Sequence, residues 1–231
     1  MCSSDLASNG WTFGGWSGAC SGSSNCSVTM TADRTVTATF VALPLAPPAT
    51  VDARFNGGAA AITWPSVLGA TSYDVARSDN GQTFTTISSP ATNSANDATV
   101  VAGYAYLYRV RAKSSDGTPS NWSAPDLMTA IAFTNDPLLA HATAVKALHV
   151  TELRSAVNAV RALAGLSAAT FANVVSHGTS IRAIDVTELR NALMPARSAL
   201  SLAASTFTRS LQSGVTVISA IDFAEVREGV R

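Results

Sequence analysis

Acidic side chains recur at fixed spacing in the last hundred residues of this 231-residue chain. Three similar decapeptides, 145–154, 181–190 and 218–227, each contain one glutamate, and successive glutamates lie 36 and then 37 residues apart. Paired carboxylates could serve as a general acid and base. However, a His or Asp stands three residues before each glutamate, which is the spacing of a capping box at a helix start. We therefore predict helix caps rather than catalysts at Glu152, Asp185, Glu188, Asp222 and Glu225, with His149 as a weaker cap.

An arginine follows each of these glutamates by two residues, at Arg154, Arg190 and Arg227. One interpretation is a basic ladder that grips an acidic polymer or partner, with Arg154 and Arg190 as candidate ligand contacts. The alternative is a set of solvated helix faces, on which each arginine pairs with a neighbouring acid.

The remaining sequence favours no catalytic chemistry. Nucleophilic catalysis needs a base and an orienting group beside the nucleophile. The three histidines, His141, His149 and His177, all lie near predicted helix ends. The sequence contains no nucleophile-elbow, phosphate-loop, dinucleotide-binding or zinc-protease motif, and no calcium-loop pattern. We expect no enzyme activity, no catalytic residue, no cofactor and no metal site.

Cys20 and Cys26 are close together in a loop rich in glycine and serine. A metal site would need a second Cys or His pair nearby, so we predict a disulfide formed in an oxidising compartment. Cys2 belongs to residues 1–6, which have neither the basic region nor the apolar core of a signal peptide. We expect residues 1–6 to be an artefactual leader on a fragment of a longer chain.

The bulk composition narrows the classes of partner. The net charge is zero, charged residues make up only 13% of the chain, and 47% of the residues are hydrophobic. A balanced charge does not favour nucleic acid as a partner, and no apolar run is long enough to span a membrane. We therefore expect several small domains without a membrane span.

Residues 7–42 alternate apolar and hydroxyl side chains around a turn, which is typical of β-strands. The order of Trp16, Cys20, Cys26 and the Thr-rich run ending at Phe40 resembles the divergent InlB-type B-repeat of bacterial surface proteins. That resemblance implies a β-grasp-like fragment, here a truncated module of a secreted or wall-associated protein. Trp11 and Trp16 are either core aromatics or a platform on which sugars stack.

Residues 43–48 read as a Pro-rich linker, and residues 49–131 contain short alternating runs separated by turn signals. Their aromatic order resembles a fibronectin type III domain. The resemblance implies an all-β sandwich over 43–131, including the linker, with Tyr106 as the corner tyrosine. Its core residues would be Trp64, Tyr73, Tyr106 and Tyr108. Trp122 either packs over the sandwich edge or contacts a ligand.

Residues 132–231 carry one apolar stripe per motif at helical spacing. We predict an all-α domain of three repeats of about 36 residues, the last truncated. Each repeat would pair a long helix with a shorter one, at 133–141, 168–177 and 204–212, and the repeats would stack as a small solenoid. The pattern resembles a tail found on large bacterial secreted proteins, whose activity it does not reveal.

These features together predict a multidomain, non-catalytic region of a bacterial extracellular or cell-surface protein. It would serve as a spacer, an adhesion module or a scaffold that binds polysaccharide or another surface protein. The alternative is the accessory region of a secreted hydrolase, a glycosidase or protease, whose catalytic domain lies elsewhere. A weaker hypothesis makes the helical tail a sorting or assembly module.

Overall fold

The computed structural model describes residues 10–139, 142–176, 178–212 and 214–231, which form nine strands and three helices. The predicted leader 1–6, His141 and His177 lie outside the described residues. The first two strands, β1 (Trp11–Gly18) and β2 (Val36–Ala42), form an antiparallel hairpin. A bulge between Phe13 and Gly15 shifts the register of this pair. The β-grasp arrangement of the segment remains a prediction.

The predicted disulfide is confirmed. Cys20 and Cys26 are bonded, with their Cα atoms 5.8 Å apart, in the loop that follows β1. The hairpin has no fully buried residue among those described. Because two strands alone are marginal in water, this cross-link supplies a restraint that packing does not.

Seven further strands form two antiparallel sheets facing each other. One sheet has the order β3-β4-β7 and the other has the order β6-β5-β8-β9. Their bounds are β3 (Asp52–Asn56), β4 (Ala59–Thr63), β5 (Ser72–Ser78), β6 (Thr85–Ser88), β7 (Ser94–Asp97), β8 (Ala105–Lys113) and β9 (Asp126–Thr129). The hydrogen bond from the Ala53 amide to Asp126 Oδ2 (2.7 Å) joins the two sheets at one edge. This is a β-sandwich, in agreement with the fold predicted for this segment.

Aromatic side chains fill the space between the two sheets. Trp64 and Tyr73 meet edge to face with ring centroids 5.4 Å apart, and both are buried. Tyr106 accepts a hydrogen bond from the Val101 amide at 2.9 Å, the backward bond expected of a corner tyrosine. Tyr108 is fully buried and donates its hydroxyl hydrogen to Asp97 at 2.9 Å. Burial, followed by the charge of Asp97, raises the pKa of Tyr108 far above its ordinary value.

Three helices follow the sandwich: α1 (Ala147–Leu163), α2 (Ala183–Ala199) and α3 (Ala220–Gly229). The predicted apolar stripe on α1 and α2 is buried, apart from the half-buried Ala164 just after α1. The predicted shorter helix of each repeat was wrong: the described residues of 133–141, 168–177 and 204–212 form bends and loops. Pro195 lies inside α2, which continues to Ala199 without breaking.

The predicted position of the helix caps was wrong by one turn. The N-cap residues are Lys146, Arg182 and Ser219, so Asp185 and Asp222 stand at the third helical position. Asp185 accepts the backbone N–H of Arg182 at 2.8 Å, and Asp222 accepts that of Ser219 at 2.9 Å. The aspartates supply the half of a capping box that reaches backwards.

The hydrophobic residues just before His149, Asp185 and Asp222 lie within the first helical turn. Leu148, Ile184 and Ile221 are at the second helical position, and 49%, 36% and 41% of their respective surfaces are exposed. The helices therefore begin earlier than the Asp-x-x-Glu spacing suggested.

The helices do not form a core separate from the sandwich. Leu107 and Leu127, on the outer face of β8 and β9, belong to the same buried cluster as Val150, Leu153 and Val157 of α1. That cluster continues through α2 and α3. Sandwich and helices therefore share one apolar interface. Among the residues placed by the structure, no helix has the length and apolar character needed to cross a bilayer.

The ends of α1 and α2 use the same backbone motif with different residues. The Leu166 amide bonds to the Arg161 carbonyl, and the Leu202 amide bonds to the Arg197 carbonyl, as in a Schellman motif. The residue in the left-handed conformation is Gly165 (φ 70°) after α1, but Ser201 (φ 56°) after α2. The backbone of Ser201 is therefore sterically strained, whereas that of Gly165 is not.

We expect Ser201→Gly to raise the free energy of unfolding by about 0.5–1 kcal/mol, because relief of the left-handed strain outweighs the added freedom of the unfolded chain. Urea denaturation of the whole chain measures this change. The reciprocal control, Gly165→Ser, should lower the free energy of unfolding by a similar amount. A destabilising Ser201→Gly would show that the two helix ends are not equivalent.

Candidate functional site

The three arginines considered above as a possible basic ladder are stacked on phenylalanine rings. The guanidinium carbons of Arg154, Arg190 and Arg227 lie 4.7, 4.3 and 4.8 Å from the ring centroids of Phe171, Phe207 and Phe133. Arg190 is 8% exposed and Arg227 is 1% exposed. These side chains face the interior, where a cation over an aromatic ring is favourable because little water competes.

The edge of each guanidinium donates to a backbone carbonyl. The acceptor is always two residues after the phenylalanine: Asn173 for Arg154 (2.7 Å), Arg209 for Arg190 (2.8 Å) and Asn135 for Arg227 (3.0 Å). Each arginine therefore fixes the loop that precedes a helix.

Each guanidinium also reaches a carboxylate on another helix. Arg154 on α1 lies 3.4 Å from Asp185 on α2, and Arg190 on α2 lies 3.4 Å from Asp222 on α3. Arg227 on α3 lies 3.4 Å from Glu152 on α1. We call each helix, together with the loop that precedes it, one unit. The contacts then run from the first unit to the second, from the second to the third, and from the third back to the first.

This cyclic order corrects the predicted solenoid. A solenoid leaves its first and last units without a neighbour on one side. Here Arg227 binds the loop that carries Phe133 and Asn135, which precedes α1. We call this closed set of three arginine contacts the arginine ring.

The predicted role of the glutamates as caps was also wrong. Glu152, Glu188 and Glu225 lie inside the helices, where they accept the backbone N–H of Thr134, Ala172 and Thr208 at 3.0, 3.2 and 2.9 Å. Each glutamate therefore holds the loop that precedes its own helix.

The carboxylate of Asp222 in the ring is held in its charged form. Burial alone would raise the pKa of Asp222, but hydrogen bonds from Arg209 and Ser219 lower it below its ordinary value. Burial lowers the pKa of Arg190 and Arg227, although a guanidinium keeps its proton in proteins. The ring is thus a set of buried ion pairs.

Trp122, the other candidate ligand contact, is partly buried. The guanidinium carbons of Arg109 and Arg111 lie 4.5 and 4.6 Å from its ring centroid. Arg109 also lies 4.0 Å from the centroid of Phe84. The indole therefore packs within a stack of side chains over the four-stranded sheet, as in the packing alternative.

The hairpin carries an open aromatic surface. Phe13 lies 5.0 Å from Trp16 and 5.7 Å from Phe40, centroid to centroid, and the Trp16 Nε1–H donates to the Ser24 carbonyl at 3.0 Å. Trp11 stands two residues before Phe13 on the same strand and is 46% exposed. Trp16 is thus tied into the hairpin, whereas Trp11 is available to a ligand.

Sequence reasoning missed the partners of the arginines. The signal was present, since Phe171 and Phe207 lie 36 residues apart, like Arg154 and Arg190. Among the residues that the structure describes, no group of three or more Cys, His, Asp or Glu side chains could hold a metal ion.

Comparison with known proteins finds a family match for the hairpin segment. Residues 6–44 match the family model of the divergent InlB B-repeat domain. This match covers the hairpin and its disulfide and stops where the sandwich begins. A search of curated proteins found no match to the chain.

Solved structures similar to the chain include a fibronectin type III-like protein from Clostridium thermocellum. It is 31% identical, with 38% of this chain and 94% of that chain covered and a TM-score of 0.36. A β-1,2-glucanase from Parabacteroides distasonis is 17% identical over 51% of this chain and 15% of its own, with a TM-score of 0.32. A pectate lyase from Erwinia chrysanthemi is 19% identical over 34% and 27%, respectively, with a TM-score of 0.31.

Removal of one ring arginine should destabilise the fold. We expect Arg190→Met to lower the free energy of unfolding by about 3 kcal/mol, because Asp222 and Glu225 lose a buried charge partner. Thermal and urea denaturation measure the loss. The control Arg182→Met, at the exposed N-cap of the same helix, should change stability by less than about 0.5 kcal/mol. Equal effects of the two substitutions would favour solvated arginines free to bind an acidic polymer.

Proposed function

We propose that this region is a rigid, non-catalytic spacer of a bacterial secreted or cell-surface protein, which holds neighbouring modules at a fixed separation and orientation. The shared core of sandwich and helices carries this proposal. Modules joined only by a linker move relative to one another, whereas a large apolar interface holds them together. The disulfide and the B-repeat match support an oxidising, extracytoplasmic setting.

The turn between β5 and β6 shows how closely sandwich and helices are fitted. At Gly81 (φ 74°), an added Cβ would lie 2.7 Å from the Leu163 carbonyl oxygen and 2.5 Å from Leu200 Cδ2. Leu163 and Leu200 are at the ends of α1 and α2. The sandwich therefore approaches both helices at one glycine.

A second support is that the polar side chains contact other groups of the same fold. The arginine ring, the loop-holding glutamates and the stack over Trp122 direct these side chains into the fold. The same groups would otherwise be the candidates for catalysis or for binding a polyanion. In this proposal the three units of 132–231 are structural, and residues 43–48 join the hairpin to the rigid body.

Gly81→Ala should uncouple sandwich and helices. We expect it to lower the melting temperature and to split a single calorimetric transition into two, because the new methyl group must displace backbone of α1. The matched control is Gly57→Ala in the β3–β4 turn, where φ is 60° and an added Cβ meets nothing within 4 Å. Gly57→Ala should cost only about 1 kcal/mol from backbone strain and keep one transition. Two transitions in the unmodified chain would contradict the rigid spacer.

A second candidate function is that of a polysaccharide-binding accessory region of a secreted hydrolase. The observation that favours it is the exposed indole of Trp11 beside the aromatic cluster of Phe13, Trp16 and Phe40. Exposed aromatic rings with one polar edge suit sites that are partly apolar and partly wet, such as a sugar ring. Another surface protein could use the same face.

Trp11→Ala tests this candidate by retention of the whole chain on insoluble cellulose, xylan and chitin. If the hairpin binds one of them, the substitution should weaken retention about tenfold, which corresponds to about 1.4 kcal/mol of lost contact. Val41→Ala is the control, because Val41 is 52% exposed on the neighbouring strand. Equal retention of the two variants would exclude Trp11 as a sugar platform.

A further inference from the structure

The arginine ring has one contact that differs from the other two. Where Asp185 and Asp222 accept the N-cap amides of α2 and α3, the first unit has His149. Its Nδ1 accepts the Lys146 N–H at 3.1 Å, and its side chain is fully buried. A neutral imidazole thus replaces a carboxylate at an equivalent position.

The hydrogen bonds define which imidazole nitrogen carries the proton. Because Nδ1 accepts a backbone N–H, the proton is on Nε2, which lies 3.2 Å from Asn135 Oδ1. A second proton could bind only at Nδ1. It would convert the cap acceptor into a donor that faces the Lys146 N–H, so the cap would be lost on protonation. The carboxylate of Asp222, whose pKa lies below its ordinary value, still accepts at mildly acidic pH.

The same imidazole lies at the point where the ring closes. Asn135 contacts His149 through its side chain and Arg227 through its carbonyl. The groups around His149 are Lys146 and Glu152 from the first unit and Arg227 from α3, and Asp136, Glu228 and Arg231 form the next layer. Burial, followed by the positive charge of Arg227, lowers the pKa of His149 below its ordinary value.

We propose that the contact between α3 and the first unit is an acid-sensitive latch, opened when His149 takes up a proton at Nδ1. Opening would release the loop 133–136 and the N-terminus of α1, and would leave the other two contacts of the ring closed. The latch goes beyond the spacer function, since it makes one contact of an otherwise rigid body responsive to pH.

The sign of the effect follows from proton binding. With the native pKa of His149 below the unfolded value of about 6.5, the open state binds more protons than the closed state. The contact is therefore fully stable above about pH 7 and loses stability as the pH falls through about 6.5. The contact with Asp222 loses stability only at lower pH, because the pKa of that carboxyl lies below its ordinary value.

Amide hydrogen exchange of the whole chain at pH 7 and pH 5.5 tests the latch, after correction for the intrinsic pH dependence of exchange. We expect the opening constant at the Thr134 and Lys146 amides to rise several-fold, up to about tenfold, on acidification. The Ala172 and Arg182 amides, which occupy the equivalent contact between α1 and α2, should change by less than twofold. A uniform rise across all four amides would overturn the latch.

Two substitutions assign the effect to His149. His149→Asp restores the side chain found in the other units, and His149→Asn keeps a neutral acceptor that does not titrate. In both variants the acid response at Thr134 and Lys146 should fall below twofold, whatever their stability at pH 7. An acid response that persists in both variants would assign it to other groups and overturn the proposal.

Discussion

A buried guanidinium stacked on a phenylalanine ring organises the last third of this chain. Each ring arginine touches an aromatic face, a loop carbonyl and a carboxylate on the next helix. Charges this far from water are costly unless they are paired and hydrogen-bonded. The helix, loop and neighbouring helix that meet at one arginine must therefore all be in place for that contact to be favourable, and the closed set of contacts couples the three units.

The same coupling reaches the sandwich through the outer face of β8 and β9. One face of this sheet packs against the aromatic core around Trp64 and Tyr108, and the other packs against α1. A sheet with both faces covered cannot shift against the helices without exposing apolar surface on at least one side. The hairpin stands apart, since its own cross-link and aromatic cluster stabilise it without a buried core.

The sequence predicted elements best where the pattern was local and periodic. Alternation marked the strands of the sandwich, and the apolar spacing around Leu153 and Leu189 marked two helices. The loop segments around Phe171 and Phe207 were mistaken for helices because their apolar residues match that spacing for a few positions. Their backbone amides instead bond to Glu188 and Glu225, which is a long-range contact that local propensity does not encode.

The sequence identified residues of the candidate site but not their role. The regular spacing of Arg154 and Arg190 singled them out, but a repeat pattern does not say whether a side chain faces solvent or the interior. Whether these side chains face the interior depends on which helix packs beside them, and that packing depends on the closure of the ring. Asp185 and Asp222 were identified for the right chemistry, but the helix starts were placed one turn too late. Before Asp185 the N-cap residue is Arg182, which has no side-chain acceptor to mark it.

The central claim is that the three helical units are closed into one cooperative body with the sandwich. Native-state hydrogen exchange at neutral pH tests it most directly, by comparing the opening free energies of core amides in α1, α2, α3 and β8. A closed body predicts one common value at all four elements. A stepwise decrease from α1 to α3, as in an open stack that frays from its end, would contradict the account.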